Sequence, residues 1–100
     1  MTKIFNENDA YVVRSDRAGV FFGHIKGVGG QVVTMTNARR LYVWSGATDI
    51  NQLSAEGVKF PNNCKFTMCV EEITLLDAIE IQRCTQQATD SLTGVEVWKI

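Results

Sequence analysis

The run "TNARRLYVWSG", Thr36 to Gly46, gathers the residue types best suited to recognition. Read as a strand, its alternation points Leu41 and Val43 one way and Arg40, Tyr42 and Trp44 the other. One cation and two rings in a row can stack a purine or a nicotinamide while a guanidinium takes a phosphate. Arg39, and Asn37 in the turn expected before the strand, add hydrogen-bonding capacity. The candidate ligand-binding set is therefore Asn37, Arg39, Arg40, Tyr42 and Trp44. The same face has a purely structural reading, in which the rings pack under a helix and Arg40 covers them with its methylene stem.

Catalytic constellations are harder to assemble. His24 is the only histidine and lies in an alternating stretch with Val20 and Phe22 on its own face, as expected of a histidine at a sheet edge. Pairing it with Cys64, Cys69 or Cys84 would supply a thiol nucleophile, yet none of the flanking sequences resembles a nucleophile elbow or a protease signature. The cysteines lack the tight pairing of a structural zinc site, and small packed thiols are the simpler expectation. Glu71 and Glu72 are adjacent and would project to opposite sides of a strand. "GVGG", Gly27 to Gly30, has neither the lysine nor the following helix of a phosphate-binding loop. No catalytic residue, metal site or cofactor is expected, and the chain reads as non-enzymatic.

The elements that would position these residues follow from composition and punctuation. A chain of 100 residues has room for one core, here a single domain over residues 11–100 preceded by an N-terminal segment, residues 1–10. Ten basic against eleven acidic residues lack the basic excess of non-specific nucleic-acid binding, so no nucleic acid is expected. The opening "MTKIFNENDAY" turns polar too soon for a signal peptide or membrane span, and three cysteines do not make a disulfide framework. A cytoplasmic protein is expected.

Strands are predicted at "AYVVRS", "GVFFGHIK", "QVVTMT", "RRLYVWSG", "KFTMCVEEI", "AIEIQRC" and the terminal "VEVWKI", with a hairpin turn at "GVGG" and a turn at Thr36 to Ala38. Two short helices interrupt them. One starts at Thr48 or Asp49 and stops at Gly57, and the other starts at Thr85 and stops at Gly94, with Ala88 and Leu92 on its buried side. The expected fold is α+β: a mainly antiparallel curled sheet or small barrel of six to seven short strands with two helices. The alternative makes "EEITLLDAIEI" a helix packed on a five-stranded sheet.

Several strings also occur together in one known family. "RAGVFFGHIK", "TNARRLYVWSGA", "INQLSAEGVK" with "PNNCKF", and "CTQQATDSLTGVEVWK" resemble small phage and prophage proteins of uncharacterised function, across roughly residues 11 to 99. The resemblance implies a phage or mobile-element origin and carries over no catalytic residue. Val43 stands where that motif would have an aromatic. The function expected is non-catalytic: capture of a small anionic, nucleotide-derived ligand such as a host immune signal, in a pocket between subunits of a homo-oligomer. The alternative is an inhibitor or adaptor that binds a host protein through the arginine and aromatic patch. A role in virion assembly is a third class.

Overall fold

The computed structural model describes residues 4–100. In chain order come β1 (Tyr11–Ser15), β2 (Gly19–Gly29), β3 (Val32–Val43), α1 (Ile50–Glu56), β4 (Lys65–Phe66), β5 (Val70–Leu75), β6 (Ala78–Arg83) and α2 (Gln86–Gly94). The strands form one antiparallel sheet in the order β4-β3-β2-β1-β6, with β5 also on β3. The sheet is curled and unclosed, and with the two helices it makes the α+β fold expected from the sequence.

Curling follows from connectivity. Strands β5 and β6 lie at opposite margins of the sheet, yet only Leu76 and Asp77 separate them in sequence. That corner is tied to both hairpin turns. Ala78 N donates to Gln31 O at 2.9 Å, Asp16 N donates to Asp77 O at 3.1 Å, and the buried Ser15 hydroxyl donates to the Asp77 carboxylate. A flat sheet could not satisfy these contacts, whereas the ordinary right-handed twist of antiparallel strands can.

Both faces of the sheet carry apolar side chains, which explains adjacent pairs such as Val12-Val13 and Phe21-Phe22. Tyr11, Val13, Phe21, Ile25, Val33 and Met35 pack together on one face. Val12, Phe22, Leu41 and Phe66 meet Leu53 of α1 and Ala88 and Leu92 of α2 on the other. The helices begin where their caps dictate. The Asp49 carboxylate accepts from Asn51 N and Gln52 N, and Thr85 Oγ1 accepts from Ala88 N. The Thr85 hydroxyl also donates to Ala55 O at 2.7 Å, fastening the start of α2 to the end of α1.

One feature of β3 decides where the side chains from Ala38 to Tyr42 point. The turn expected at Thr36 to Ala38 is a bulge, and the strand runs through it. Asn37 takes the left-handed conformation at φ 47°, which asparagine tolerates, without reversing the chain. Phe22 pairs with Arg39 and His24 with Thr36, so Asn37 and Ala38 together oppose the single residue Gly23. The bulge shifts the alternation by one. Before it Val33 and Met35 join the first core face, and after it Ala38 does, while Leu41 joins the helix-covered face. A Cβ at Gly23 would lie 2.8 Å from Ala38 Cα, so only glycine fits there.

Other predicted strands shift for similar reasons. The β2-β3 hairpin turns at Gly30-Gln31 rather than within "GVGG", because Gly29 still pairs with Val32. "KFTMCVEEI" divides into β4 and β5, both on β3, and Thr67 bridges the interruption by receiving Arg40 N on its hydroxyl at 2.8 Å. "VEVWKI" is not a strand of the sheet. Its ordered pairing is a single parallel bridge between Val97 and Phe66, since α2 runs on to Gly94 and leaves the segment short. "EEITLLDAIEI" is two strands and a corner, not a helix.

The bulge yields a paired prediction. Gly23→Ala should destabilise the protein by about 1–3 kcal/mol, the usual range for overpacking, because the obstruction is backbone. Gly27→Ala, whose Cβ would meet nothing within 4 Å, should change stability by less than about 0.5 kcal/mol. Urea unfolding of the two variants beside the wild type tests both.

Candidate functional site

Downstream of the bulge the recognition set separates into three places. Arg39 is 4% exposed, on the helix-covered side. Its Nε donates to Thr67 O at 2.9 Å, Nη1 to Leu92 O at 3.2 Å and Val95 O at 2.9 Å, and Nη2 to Phe66 O at 3.4 Å. These are the carbonyls at the end of α2 and beside β4, groups that a helix terminus leaves without intrahelical partners. Desolvation lowers the Arg39 pKa below its ordinary value, while the charge of Cys69 acts in the opposite direction. Arg39 is a buried cation satisfied by neutral oxygens. Among the described residues it forms no ion pair.

Arg40 and Tyr42 project from the other side of the strand and are exposed. The Arg40 guanidinium rests over the buried Phe21 ring of β2, 4.8 Å from its centroid, and not over rings of its own row. Trp44 does not continue the row. The strand ends at Val43, alternation ends with it, and Trp44 packs half-buried against the helix-side core.

The ring that accompanies Tyr42 is Trp98. The two are stacked with centroids 5.2 Å apart and planes 15° from parallel, and Lys65 Nζ sits 5.4 Å from the Trp98 ring centre. Tyr42 is 61% and Trp98 46% exposed, so this stack forms a surface rather than a core. Val43 of β3, Val70 of the paired β5, Val97 of the terminal bridge and Met68 between β4 and β5 are also exposed. Sequence reasoning missed Trp98 and Lys65. Their proximity to Tyr42 arises from the Val97–Phe66 bridge, a contact between distant parts of the chain with no local signal. Trp98 itself is held half in solvent.

A third location is a pair of clefts along α2. One, of about 340 Å3, is lined by Asp9, His24, Arg83, Thr85, Gln86 and Thr89 among others. The second, of about 170 Å3, is lined by His24, Asn37, Arg39, Cys69, Thr89 and Thr93, so the two share His24 and Thr89. β2 lies between β1 and β3, so His24 is on an interior strand rather than at the expected sheet edge. Its Nδ1 lies 2.9 Å from Asp9 O. A carbonyl only accepts, so Nδ1 carries the proton and Nε2 is the nitrogen left for another partner. The cysteines differ sharply. Cys69 is exposed, Cys64 is half-buried with its thiol donating to Phe60 O at 3.4 Å, and Cys84 is buried. Burial pushes the Cys84 thiol up to about 12.

With this geometry established, comparison with known proteins places the chain. A family model described as "Domain of unknown function (DUF6948)" matches residues 8–92. The chain belongs to this family. The match spans β1 to β6 and α2 through Leu92, and so takes in the bulge, Arg39 and the lining of the larger cleft, with Thr93 of the smaller cleft and Val95 just beyond it. No curated protein and no solved structure matches it. Among the described residues no helix is long and apolar enough to cross a membrane, and no group of three or more His, Cys, Asp or Glu side chains could hold a metal ion.

Two predictions follow from the positions of these side chains. Arg39→Ala takes a donor from four carbonyls, of which Phe66 O keeps the Trp98 N–H, and should cost roughly 3 kcal/mol or more, whereas Arg40→Ala should cost about 1 kcal/mol or less; denaturant titration separates them. Alkylation of the native protein with iodoacetamide at pH 8 should modify Cys69 first. Cys84, held as a thiol well above that pH, should react only on unfolding, as peptide mass mapping would report.

Proposed function

We propose that this protein works by binding, and that its partner is a protein with an acidic surface docking on the exposed face built from Arg40, Tyr42, Trp98 and Lys65. One observation carries this reading: the Tyr42–Trp98 stack stands at the surface with cations beside it. Exposed contiguous apolar area is costly to maintain and commonly marks an interaction surface. Tyr, Trp and Arg are the residue types that dominate interface hot spots.

The geometry favours a macromolecular partner over a base or nicotinamide sandwiched on Trp98. Tyr42 lies on one side of that ring and Lys65 caps it, so the edges remain for a partner's side chains. Arg40 and Lys65, with Lys99 next in sequence to Trp98, would meet carboxylates, which sets orientation and accelerates encounter. In the phage or mobile-element setting implied by the sequence resemblance, the partner is a host protein and the outcome is inhibition or recruitment.

The test uses variants that leave the core intact. Wild-type protein, Tyr42→Ala/Trp98→Ala, Arg40→Glu and a control at the distant exposed pair, Lys26→Ala, would be immobilised and exposed to host lysate. A partner retained by the wild type and the control and lost with both patch variants is the expected result. Retention that ignores the patch substitutions, with all four proteins folded by circular dichroism, overturns the reading.

A further inference from the structure

The small cleft beside α2 holds an electrostatic imbalance that the partner surface does not involve. Arg39 carries a full positive charge at 4% exposure, and the oxygens it touches are all backbone carbonyls. A guanidinium has five N–H donors, and four are used in these bonds, so one is left. Burial of a charge is ordinarily compensated by a counter-ion, and among the described residues no carboxylate pairs with Arg39; the Phe66 ring lies 5.3 Å from its guanidinium carbon, and Cys69, in the same cleft, is the one group whose negative charge acts on it. The carbonyls at the C-terminal end of α2 offset part of the charge, since a helix end carries about half an elementary charge.

Three other groups of the same cleft have polar atoms with no partner among the described residues. They are the Asn37 side-chain amide, the Thr93 hydroxyl and His24 Nε2. Asn37 is held in place by the bulge, whose left-handed backbone turns at that residue. The cleft, at about 170 Å3, is smaller than the roughly 300 Å3 at which pockets for drug-sized ligands begin. It adjoins the 340 Å3 cleft, His24 and Thr89 lining both.

We propose that Asn37, Arg39, Thr93 and His24 form a binding site for a compact tetrahedral oxyanion, a phosphate or the phosphoryl end of a phosphate monoester. The anion supplies the charge that Arg39 lacks, accepts its remaining N–H, and accepts from the Asn37 amide and Thr93 hydroxyl. His24, its Nδ1 proton committed to the Asp9 carbonyl, presents Nε2 to accept from a protonated oxygen of the anion. For a monoester, the organic part lies along α2 toward Arg83 and Gln86. This site is independent of the aromatic surface and stands if that surface has no partner.

The test is isothermal titration with sodium phosphate and with adenosine monophosphate, at constant ionic strength set by chloride. Arg39 itself is a poor probe because its loss threatens the fold, so Asn37→Gly, which removes the amide and keeps the left-handed backbone, and Thr93→Val serve instead; both positions are exposed. Phosphate binding over the chloride background, weakened at least tenfold in each variant, is the expected result. If the monoester binds at least tenfold tighter than inorganic phosphate, the adjoining cleft is part of the site; equal affinities confine it to the small cleft, and either supports the proposal. Absence of any phosphate-specific heat, or binding unchanged in Asn37→Gly and Thr93→Val, overturns it.

Discussion

A single cation at the junction of three segments holds the helix-covered side of this protein in register. Arg39 reaches from the long strand β3 to the carbonyl beside β4, to Thr67 where the chain leaves that strand, and to the last turn of α2. No helix residue supplies a basic group there, so the end of α2 is completed by a side chain more than fifty positions earlier. The arrangement depends in turn on the bulge. Were β3 regular, residue 39 would lie with Val33 and Met35 on the opposite core face, and the carbonyls would be stranded.

The bulge therefore carries backbone conformation into side-chain placement in two directions. It sends Arg39 inward, beneath α2, and by the same phase change sends Arg40 and Tyr42 outward. Two adjacent arginines, chemically alike in the sequence, become an anchor and a surface group. The exposed stack and the small cleft are the two products of one left-handed residue facing one glycine.

Much of the fold was legible because it is written locally. Both helices announce themselves through Asp49, Gly57, Thr85 and the spacing of Ala88 and Leu92, and the antiparallel α+β class follows from short apolar runs broken by turn residues. What was not legible depends on pairing. Asn37 signals a left-handed backbone, but a turn and a bulge make the same demand on one residue; Gly23, fourteen positions earlier, decides between them. The expected row lost Trp44 because the strand stops at Val43, and gained Trp98 because Val97 bridges Phe66. Of the candidate site, the residue types were readable and their partition among core, cleft and surface was not.

The corner at Leu76 and Asp77 has a kinetic side. Nearest neighbours in sequence here become opposite margins of the sheet, and β6 finds its partner in β1, more than sixty residues earlier. Little native structure can then form piecemeal: the loop entropy of joining β1 to β6 is spent before the interior face is closed. A chain organised in this way belongs among domains dominated by non-local pairing, which fold on the order of milliseconds to seconds rather than microseconds. Its N-terminal strand is left without one neighbour until most of the molecule has been synthesised.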